Sequence, residues 1–322
     1  MVENMRRVFS IIILICILAV AGCDSSQEVG PDTTPFVGGD TALVLSFIEA
    51  APPDEVFDDG QFPFSVNVKV ENVGEYDIDA NDGYIELEGI SADEFGIASG
   101  DLREDIPDIE GAKKGVGGFI IDGFSDVVDF GEFNYQADIA GTLTSIIRAR
   151  ACYNYETEAT TTLCIKQETV DSVRENEVCR VAGNKPVENS GAPIQIKSIT
   201  ESPKSKEGII VQITLGSVGA QSDSFYKEST DCDDRRNNPD RYVVYMEVDP
   251  IINGRIPAQC NGLSGGNSGY IKLFDGADRT IACSFDTAGI DNDFETRMNM
   301  RLRYRYSQFI EEDVIIRDVS RD

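Results

Sequence analysis

The titratable side chains of this sequence are mostly carboxylates. The 322 residues include 57 Asp and Glu but no His and no Trp. Without His, neither a Ser-His-Asp triad nor a Cys-His pair can form, and the commonest zinc ligand is missing. Without Trp, the best aromatic platform for a sugar or a cation is missing as well. This composition argues against most nucleophilic hydrolases and zinc enzymes, and we predict a protein without catalytic activity.

One short string does match a catalytic motif. Residues 262–266 read Gly-Leu-Ser-Gly-Gly, which is the G-x-S-x-G pattern of a hydrolase nucleophile elbow. No His exists to accept the Ser264 proton, and no strand-turn-helix pattern surrounds the string. We therefore interpret residues 260–269 as a flexible Gly/Ser loop. A glycosidase would need two placed carboxylates, and the sequence singles out no such pair.

A run of oxygen-bearing side chains nearly matches a calcium-binding loop. Positions 1, 3, 5 and 12 of such a loop are occupied by Asp77, Asp79, Asn81 and Glu88. Position 6 requires Gly, but Asp82 stands there. The same stretch also predicts a β-hairpin whose turn lies at 81–83. Calcium is thus one alternative for these residues, and we expect no other cofactor.

The remaining charged clusters are interpreted as structural. Two loop clusters are further calcium candidates, although solvated loop side chains are the default interpretation. They are Asp231, Asp233 and Asp234, and Asp291, Asn292 and Asp293. A row of arginines follows one predicted strand at Arg297, Arg301, Arg303 and Arg305. The last three share a strand face, where we expect them to pair with acids on a neighbouring strand. Docking of an acidic partner is the alternative.

Six of the eight cysteines lie beyond the N-terminal segment, and we expect them to form disulfides in an exported chain. Cys152 and Cys164 are equidistant from Glu158. A hairpin of strands 143–155 and 160–166 would place them opposite each other, and we predict a disulfide between them.

The other four cysteines allow three pairings and are Cys179, Cys232, Cys260 and Cys283. We favour Cys260–Cys283 together with Cys179–Cys232 and leave the other pairings open. A metal site of four thiolates is an alternative, although the chain has no Cys-x-x-Cys spacing.

The N-terminus reads as an export signal. Two arginines precede an apolar run at 8–21, which is short of the ~20 residues that a membrane helix needs. The run ends in Val-Ala-Gly-Cys at 20–23, which resembles the lipobox of prokaryotic lipoproteins. The resemblance implies cleavage of a signal peptide, 1–22, and a lipid on Cys23. An ordinary signal peptide or an uncleaved anchor is the alternative, and either would also export the chain.

The residues after the predicted lipid site read as a flexible tether. Residues 23–40 are rich in Pro, Gly and small polar side chains. The mature chain would then lie on the outer face of the cell membrane, at the cell surface or in the periplasm. Its formal charge of -29 repels nucleic acid and anionic headgroups, so we expect no nucleic-acid partner.

The body of the chain repeats itself. An offset of 151 residues aligns Arg150 to Tyr155 with Arg301 to Tyr306, and Leu43 and Leu45 with Ile194 and Ile196. An offset of 145 aligns the alternating stretch at 64–70 with that at 209–215. Similarity at a fixed spacing indicates a duplicated domain. We predict one copy at 41–167 (copy 1) and another at 192–319 (copy 2).

A polar segment, 168–191, separates the two copies and is predicted to be a linker. Its apolar side chains offer an alternative, in which the segment packs onto a domain through Val170, Val173 and Val178.

Each copy is predicted to be a β-sandwich. Residues 62–70 alternate apolar and polar side chains, which is the period of a half-buried strand. Each copy contains about seven such short stretches, and a sandwich needs that number. Each copy also resembles the CARDB group of immunoglobulin-like domains of prokaryotic surface proteins. In that group an alternating strand ends in Asn-x-Gly, which Asn72-Val73-Gly74 matches and Ser217-Val218-Gly219 does not.

The resemblance implies an all-β fold with two tandem immunoglobulin-like β-sandwich domains, following a cleaved lipoprotein signal peptide. We expect a non-catalytic cell-surface lipoprotein that acts as a binding, adhesion or spacer module. Its partners would be the membrane, through the lipid, and an unidentified protein or other envelope component. The alternatives are a structural subunit of a surface layer or filament, and a carbohydrate-active enzyme or ligand carrier.

Overall fold

The structure, a computed structural model, describes residues 34–170, 177–232, 237–251 and 256–319. The predicted signal peptide, 1–22, and the predicted lipid site, Cys23, lie outside the described residues.

The described residues form nineteen strands and two short 3-10 helices. The strands are β1 (Leu43–Phe47), β2 (Glu55–Phe57), β3 (Phe64–Asn72), β4 (Gly83–Glu88), β5 (Arg103–Asp105), β6 (Lys113–Lys114), β7 (Ile120–Ile121), β8 (Ser125–Phe133), β9 (Thr142–Ile165), β10 (Gly183–Lys185), β11 (Val187–Asn189), β12 (Ile194–Ser205), β13 (Gly208–Ser217), β14 (Ser224–Tyr226), β15 (Val243–Val248), β16 (Gln259–Cys260), β17 (Ser268–Lys272), β18 (Arg279–Asp286) and β19 (Phe294–Arg317). The 3-10 helices are Ser99–Leu102 and Phe274–Gly276.

The predicted all-β, immunoglobulin-like sandwich class is confirmed. Alternation in the sequence places apolar side chains on one face of each strand, as in β3, where Val66, Val68 and Val70 are fully buried. One small sheet has the order β1-β3-β8, and a second has the order β10-β12-β13-β18-β16. A nine-stranded central sheet follows the path β17-β15-β19-β9-β4-β5, with β2, β11 and β14 on its long strands. A separate hairpin pairs β6 with β7.

Both small sheets pack on the same face of the central sheet. Gln308, on β19, donates its amide to the carbonyl of Leu43 on β1, at 2.8 Å. Thr157, on β9, donates its hydroxyl to the carbonyl of Ile194 on β12, at 2.6 Å. Gln308 and Thr157 share one face, because residues on β9 and β19 that pair directly point to the same side. The core therefore lies between the central sheet and the two small sheets.

The strand registers follow both sequence offsets. Leu43 pairs with Asn72, and Ile194 pairs with Ser217. These pairs are related by 151 residues on the first strand and by 145 on the second. The first strand pair of each copy, β1 with β3 and β12 with β13, therefore has the same register.

The two longest strands join the copies. β9 and β19 have 24 residues each and pair antiparallel along their whole length. Asn154 pairs with Arg305, and these two residues are also 151 positions apart. A local two-fold axis therefore passes through this pair, perpendicular to the sheet. The ranges 41–167 and 192–319 contribute to one shared sheet, within one compact unit, Thr34–Asp322.

The hairpin predicted around Glu158 is wrong, because that residue lies inside continuous β9. Residues 142–165 contain no Gly or Pro, the two residues that most strongly interrupt a strand. Cys152 and Cys164 lie on the same strand, about 40 Å apart at ~3.3 Å per residue, and cannot bond to each other.

The disulfides are Cys152–Cys232, Cys164–Cys179 and Cys260–Cys283. The favoured pair Cys260–Cys283 is confirmed, since both residues lie opposite each other on β16 and β18. The favoured pair Cys179–Cys232 is wrong, because each of these cysteines meets the long strand β9 at a different place. All six cysteines are engaged, which removes the four-thiolate alternative.

The predicted linker, 168–191, contributes two strands to the sheets. β10 pairs with β12, and β11 pairs with β9. Val170 and Val178 are exposed, and Val181 is the buried valine of this segment. Val173 lies outside the described residues.

The end of the predicted tether, 34–40, is also held on the body. Glu75 accepts hydrogen bonds from the N–H groups of Val37 (2.8 Å), Gly38 (2.9 Å) and Gly191 (2.7 Å). The carboxylate thereby fastens the N-terminal segment beside β12. Residues 23–33 of the predicted tether lie outside the described residues.

Candidate binding surfaces

The side chains of β9 and β19 that point away from the core form a charged face on the central sheet. Arg301 lies 3.4 Å from Glu247. Arg303 lies 3.8 Å from the Glu228 carboxylate, and its guanidinium is 4.5 Å from the ring centre of Tyr245. Glu247 belongs to β15, which neighbours β19. The predicted pairing with acids on a neighbouring strand is therefore observed for Arg301 and for Arg303, which also lies 3.9 Å from Glu247, whereas Arg305 contacts Sγ of Cys152 instead.

Arg305 stands at the local two-fold axis. Its Nε lies 3.0 Å from Sγ of Cys152, and burial lowers the pKa of Arg305 below its ordinary value. The disulfide to Cys232 holds the chain after β14 over this place, and Ser229 donates its N–H to Oδ1 of Asn154 at 3.1 Å. The centre of the charged face is therefore covered by the segment that follows β14.

A cleft of about 620 Å³ opens beside the charged face. Its carboxylates belong to Glu75, Asp77, Glu156 and Glu158, and its ammonium groups belong to Lys113 and Lys114. Burial raises the pKa of Glu156, an effect that the guanidinium of Arg303 opposes. Because charges of both signs line the cleft, it is not a simple site for either cations or anions.

The four calcium candidates do not converge. Asp77 lies 3.2 Å from the ammonium of Lys113. Glu88 lies 2.8 Å from Arg150 on β9. Glu88 is also five residues beyond Gly83 on the same strand, a distance of about 17 Å at ~3.3 Å per residue. A single ion could not be bound by Glu88 together with Asp79 and Asn81, which lie at the turn before Gly83.

The other two candidates form a turn. Asp82 donates its N–H to the carbonyl of Asp79 at 3.0 Å, and Asn81 has a φ of 74°. The predicted turn is present, but the predicted hairpin is not, because Ile78 bridges to Ile109 while β4 pairs with β5 and β9.

The other candidate loops have structural roles. Asp293 accepts the N–H of Gln167 at 3.0 Å. The Gly-Leu-Ser-Gly-Gly string at 262–266 lies between β16 and β17, with Leu263 buried. Asp231 lies near Arg305, where it opposes the effect of burial on the arginine pKa. Asp233 and Asp234 lie outside the described residues.

The sequence analysis missed a group of three carboxylates. Oxygens of Asp58, Asp138 and Asp318 lie within 4.8 Å of one another. The fully buried Asp58 accepts the N–H of Ile139 at 3.0 Å and the N–H of Val319 at 2.9 Å. Both of its oxygens are thus engaged in fastening the end of β19 to the segment before β9. The three residues are far apart in sequence, so no spacing signals the group.

The sequence analysis also missed an apolar hairpin in copy 1. β6 and β7 pair through Lys113 with Ile121 and Lys114 with Ile120. At the tip, Val116 is 98% exposed and Phe119 is 59% exposed. The signal was available, since an apolar Phe-Ile-Ile run follows a Gly-rich turn at 115–118.

The comparisons with known proteins give no relative, since no family model matches this chain and no curated protein does. Across the described ranges, no helix is long and apolar enough to cross a membrane. The lipobox and CARDB resemblances stay predictions from the sequence.

Proposed function

We propose that this chain is a non-catalytic, exported surface protein, held at a membrane by a lipid on Cys23, which acts as a binding or spacer module. The observation that carries the proposal is the continuous ladder between β9 and β19. At 3.2–3.4 Å per residue, each 24-residue strand has a contour of roughly 75–80 Å. A spacer needs such a stiff element to keep its far end away from the membrane.

The disulfides support the same proposal. Cys152 belongs to copy 1 and Cys232 to copy 2, so one bond crosses between the copies. The other two bonds stabilise β9 and the small sheet of copy 2. Disulfides form and persist in oxidising compartments, which makes three of them typical of exported proteins.

The engagement of the charged side chains supports a non-catalytic role. The arginines of the charged face contact carboxylates and aromatic rings, and the buried Asp58 carboxylate accepts two backbone N–H groups. Glu201 is also buried, and it binds Lys185 at 2.8 Å. These contacts are those of a stabilised scaffold, and a partner would bind at its surface.

Intact mass spectrometry tests the anchoring. The protein is produced with its own leader in a bacterium that acylates lipoproteins, and is then extracted from membranes. We expect the mass of the chain from Cys23 onward, plus acyl groups and minus six hydrogens for three disulfides. The control Cys23→Ser removes the acylated thiol and should yield no acylated species. An unacylated wild-type chain would contradict the proposal.

Small-angle X-ray scattering tests the spacer role. We expect the profile of the mature chain to fit one rigid unit, with no movement between copy 1 and copy 2. A profile that requires the two copies to move independently would contradict a spacer built on the β9–β19 ladder.

A further inference from the structure

The apolar hairpin of copy 1 is built to project its tip. Gly117 and Gly118 have φ values of 93° and 83°, which a tight turn needs and other residues rarely adopt. Gly115 donates its N–H to the carbonyl of Phe119 at 2.8 Å, and the Phe119 ring lies over Gly115. The turn thereby fixes an aromatic ring and Val116 beyond the body.

The exposed apolar surface continues along the hairpin. Ile120 and Ile121 are 56% and 47% exposed, and Phe124, where the chain returns to the body, is 60% exposed. Several large apolar side chains that are exposed next to one another mark an interaction surface.

Copy 2 has no such projection at the equivalent place. The segment between β5 and β8, residues 106–124, corresponds to the segment between β17 and β18, residues 273–278. The short segment carries one exposed aromatic side chain, Phe274, on its 3-10 turn. The hairpin is therefore an addition to the repeated frame.

The base of the hairpin holds the first described residues of the chain. Lys114 donates from Nζ to the carbonyl and the hydroxyl of Thr34, both at 2.8 Å. Thr34 follows the predicted lipid site, Cys23, by eleven residues. A flexible chain of that length spans roughly 17–20 Å root-mean-square. An anchor at Cys23 would therefore hold this end of the body close to the bilayer.

The charges around the hairpin indicate which bilayer surface it fits. Lys113 lies 3.1 Å from Glu110 and 3.2 Å from Asp77, and Lys114 is engaged by Thr34. With its lysines engaged and a chain charge of -29, the hairpin would gain nothing from anionic lipids. Aromatic and branched aliphatic side chains do bury themselves at the boundary between headgroups and acyl chains.

We propose that the hairpin at 113–124 inserts Val116, Phe119 and Ile120 into the headgroup boundary of the bilayer that holds the lipid of Cys23. The hairpin is thus a second, reversible membrane contact that sets the orientation of the spacer. The inference rests on the proposed anchoring for its location in the cell.

The absence of Trp from the sequence allows a direct test. The mature chain is coupled through the Cys23 thiol to a maleimide lipid in phosphatidylcholine vesicles, while the six body cysteines are in disulfides. Phe119→Trp places a single fluorophore at the hairpin tip. Phe274→Trp is the matched control, because Phe274 is 68% exposed in the equivalent segment of copy 2.

We expect Phe119→Trp to shift its emission to the blue on vesicles and to be quenched by brominated lipids, and Phe274→Trp to do neither. Emission from Phe119→Trp that stays water-like and unquenched on the vesicles would overturn the inference. A blue shift of Phe119→Trp in concentrated protein without vesicles would also overturn it, because a second copy of the chain would then be the occupant.

A partition measurement gives the size of the effect. In the uncoupled mature chain, Phe119→Ser with Ile120→Ser should weaken binding to phosphatidylcholine vesicles about tenfold. Burying one such side chain completely contributes a factor of ten or more, and about half of each of these two is already buried in the free protein. Phe274→Ser should leave binding unchanged. Equal binding by the hairpin variant and the wild type would overturn the inference. Because neither assay uses natural acylation, failure of the predicted lipidation would be seen separately, in the mass of the extracted protein.

Discussion

Tyr153 in copy 1 and Tyr304 in copy 2 are equivalent residues with different surroundings. Both are buried, and their side chains lie on the same face of the central sheet. The Tyr304 hydroxyl lies 3.0 Å from the Thr157 hydroxyl, whereas the Tyr153 hydroxyl makes no well-formed hydrogen bond among the described residues and has only a weak contact with the Leu43 backbone. The duplicated frame thus keeps the aromatic packing of the core while the polar partners differ between the copies.

The neighbouring pair of equivalent tyrosines shows the same difference. Tyr155 donates to the carbonyl of Gly191 at 3.1 Å, whereas Tyr306 donates to the carboxylate of Asp223 at 2.7 Å. The exposed loops also differ between the copies, since copy 1 carries the apolar hairpin and copy 2 carries a short turn. The copies share the apolar pattern and the strand register. They differ in their loops and in the side chains that contact the equivalent tyrosines.

The largest expected effect is a loss of stability at alkaline pH, because the buried tyrosines ionise more easily in the unfolded chain. Burial raises the pKa of Tyr153, Tyr155, Tyr304 and Tyr306 above the ordinary value of 10. The unfolded chain therefore releases these protons first, so the stability is fully present below pH ~10 and is lost as the pH rises further. Above that pH, each tyrosine lowers the free energy of unfolding by up to ~1.4 kcal/mol per pH unit, and the four together lower it by up to about 5 kcal/mol per unit.

Urea unfolding between pH 8 and pH 11.5 measures this loss. Tyr153→Phe and Tyr304→Phe should reduce the slope above pH 10 equally, although their hydroxyl groups differ in partners. A slope that does not change in either variant would show that these residues do not titrate on unfolding.

Removal of the disulfide that crosses between the copies should have the next largest effect. Cys152 and Cys232 are 80 residues apart, and Cys164 and Cys179 are 15 apart. Replacing the first pair by Ala should lower the free energy of unfolding by about 4–5 kcal/mol, and replacing the second by about 3 kcal/mol, from the loop each closes in the unfolded chain. Denaturant unfolding of the two double variants checks the order, which an equal or inverted cost would contradict.

Asp58→Asn should destabilise the protein by about 1–3 kcal/mol. The amide retains one acceptor oxygen, and its NH₂ group then faces an N–H that the carboxylate used to accept, from Ile139 or Val319. Thermal unfolding near neutral pH measures the change. Asp291→Asn, at an exposed loop position, is the control, and an equal effect in both variants would show that the hydrogen bonds of Asp58 add nothing.

The smallest expected effect separates the equivalent tyrosines at neutral pH. Tyr304→Phe removes the hydrogen bond to Thr157 and should cost about 1 kcal/mol. Tyr153→Phe removes a buried hydroxyl that makes no well-formed hydrogen bond in the described chain, and it should be neutral or slightly stabilising. Paired unfolding curves at pH 7 check the difference, and a larger cost for Tyr153→Phe would reverse our reading of the two sites.

The repeated frame could be predicted from the sequence because apolar alternation is a local signal. The two offsets are visible in the printed residues, and they reappear in the pairing of Leu43 with Asn72 and of Ile194 with Ser217. The length of β9 was predictable in principle, since residues 142–165 lack Gly and Pro. A 24-residue strand is far longer than the usual 5–6, which made a hairpin the more ordinary prediction.

The connections between distant parts of the chain were not predictable. Cys232 meets Cys152 only because the chain after β14 crosses the charged face, and no local pattern carries that path. The same holds for Asp58, whose partners are 81 and 261 residues away. The apolar hairpin was different, because its residues are adjacent in the sequence and its Gly-rich turn at 115–118 is visible there.

Native-state hydrogen exchange in rising urea tests most directly whether the two copies fold as one unit through the β9–β19 ladder. Peptides from β3 in copy 1 and from β13 in copy 2 report the two small sheets separately. We predict that both sets exchange through one global opening, with the same free energy and the same dependence on urea. Loss of protection in one small sheet, while the other stays protected, would contradict the shared sheet as the basis of the fold.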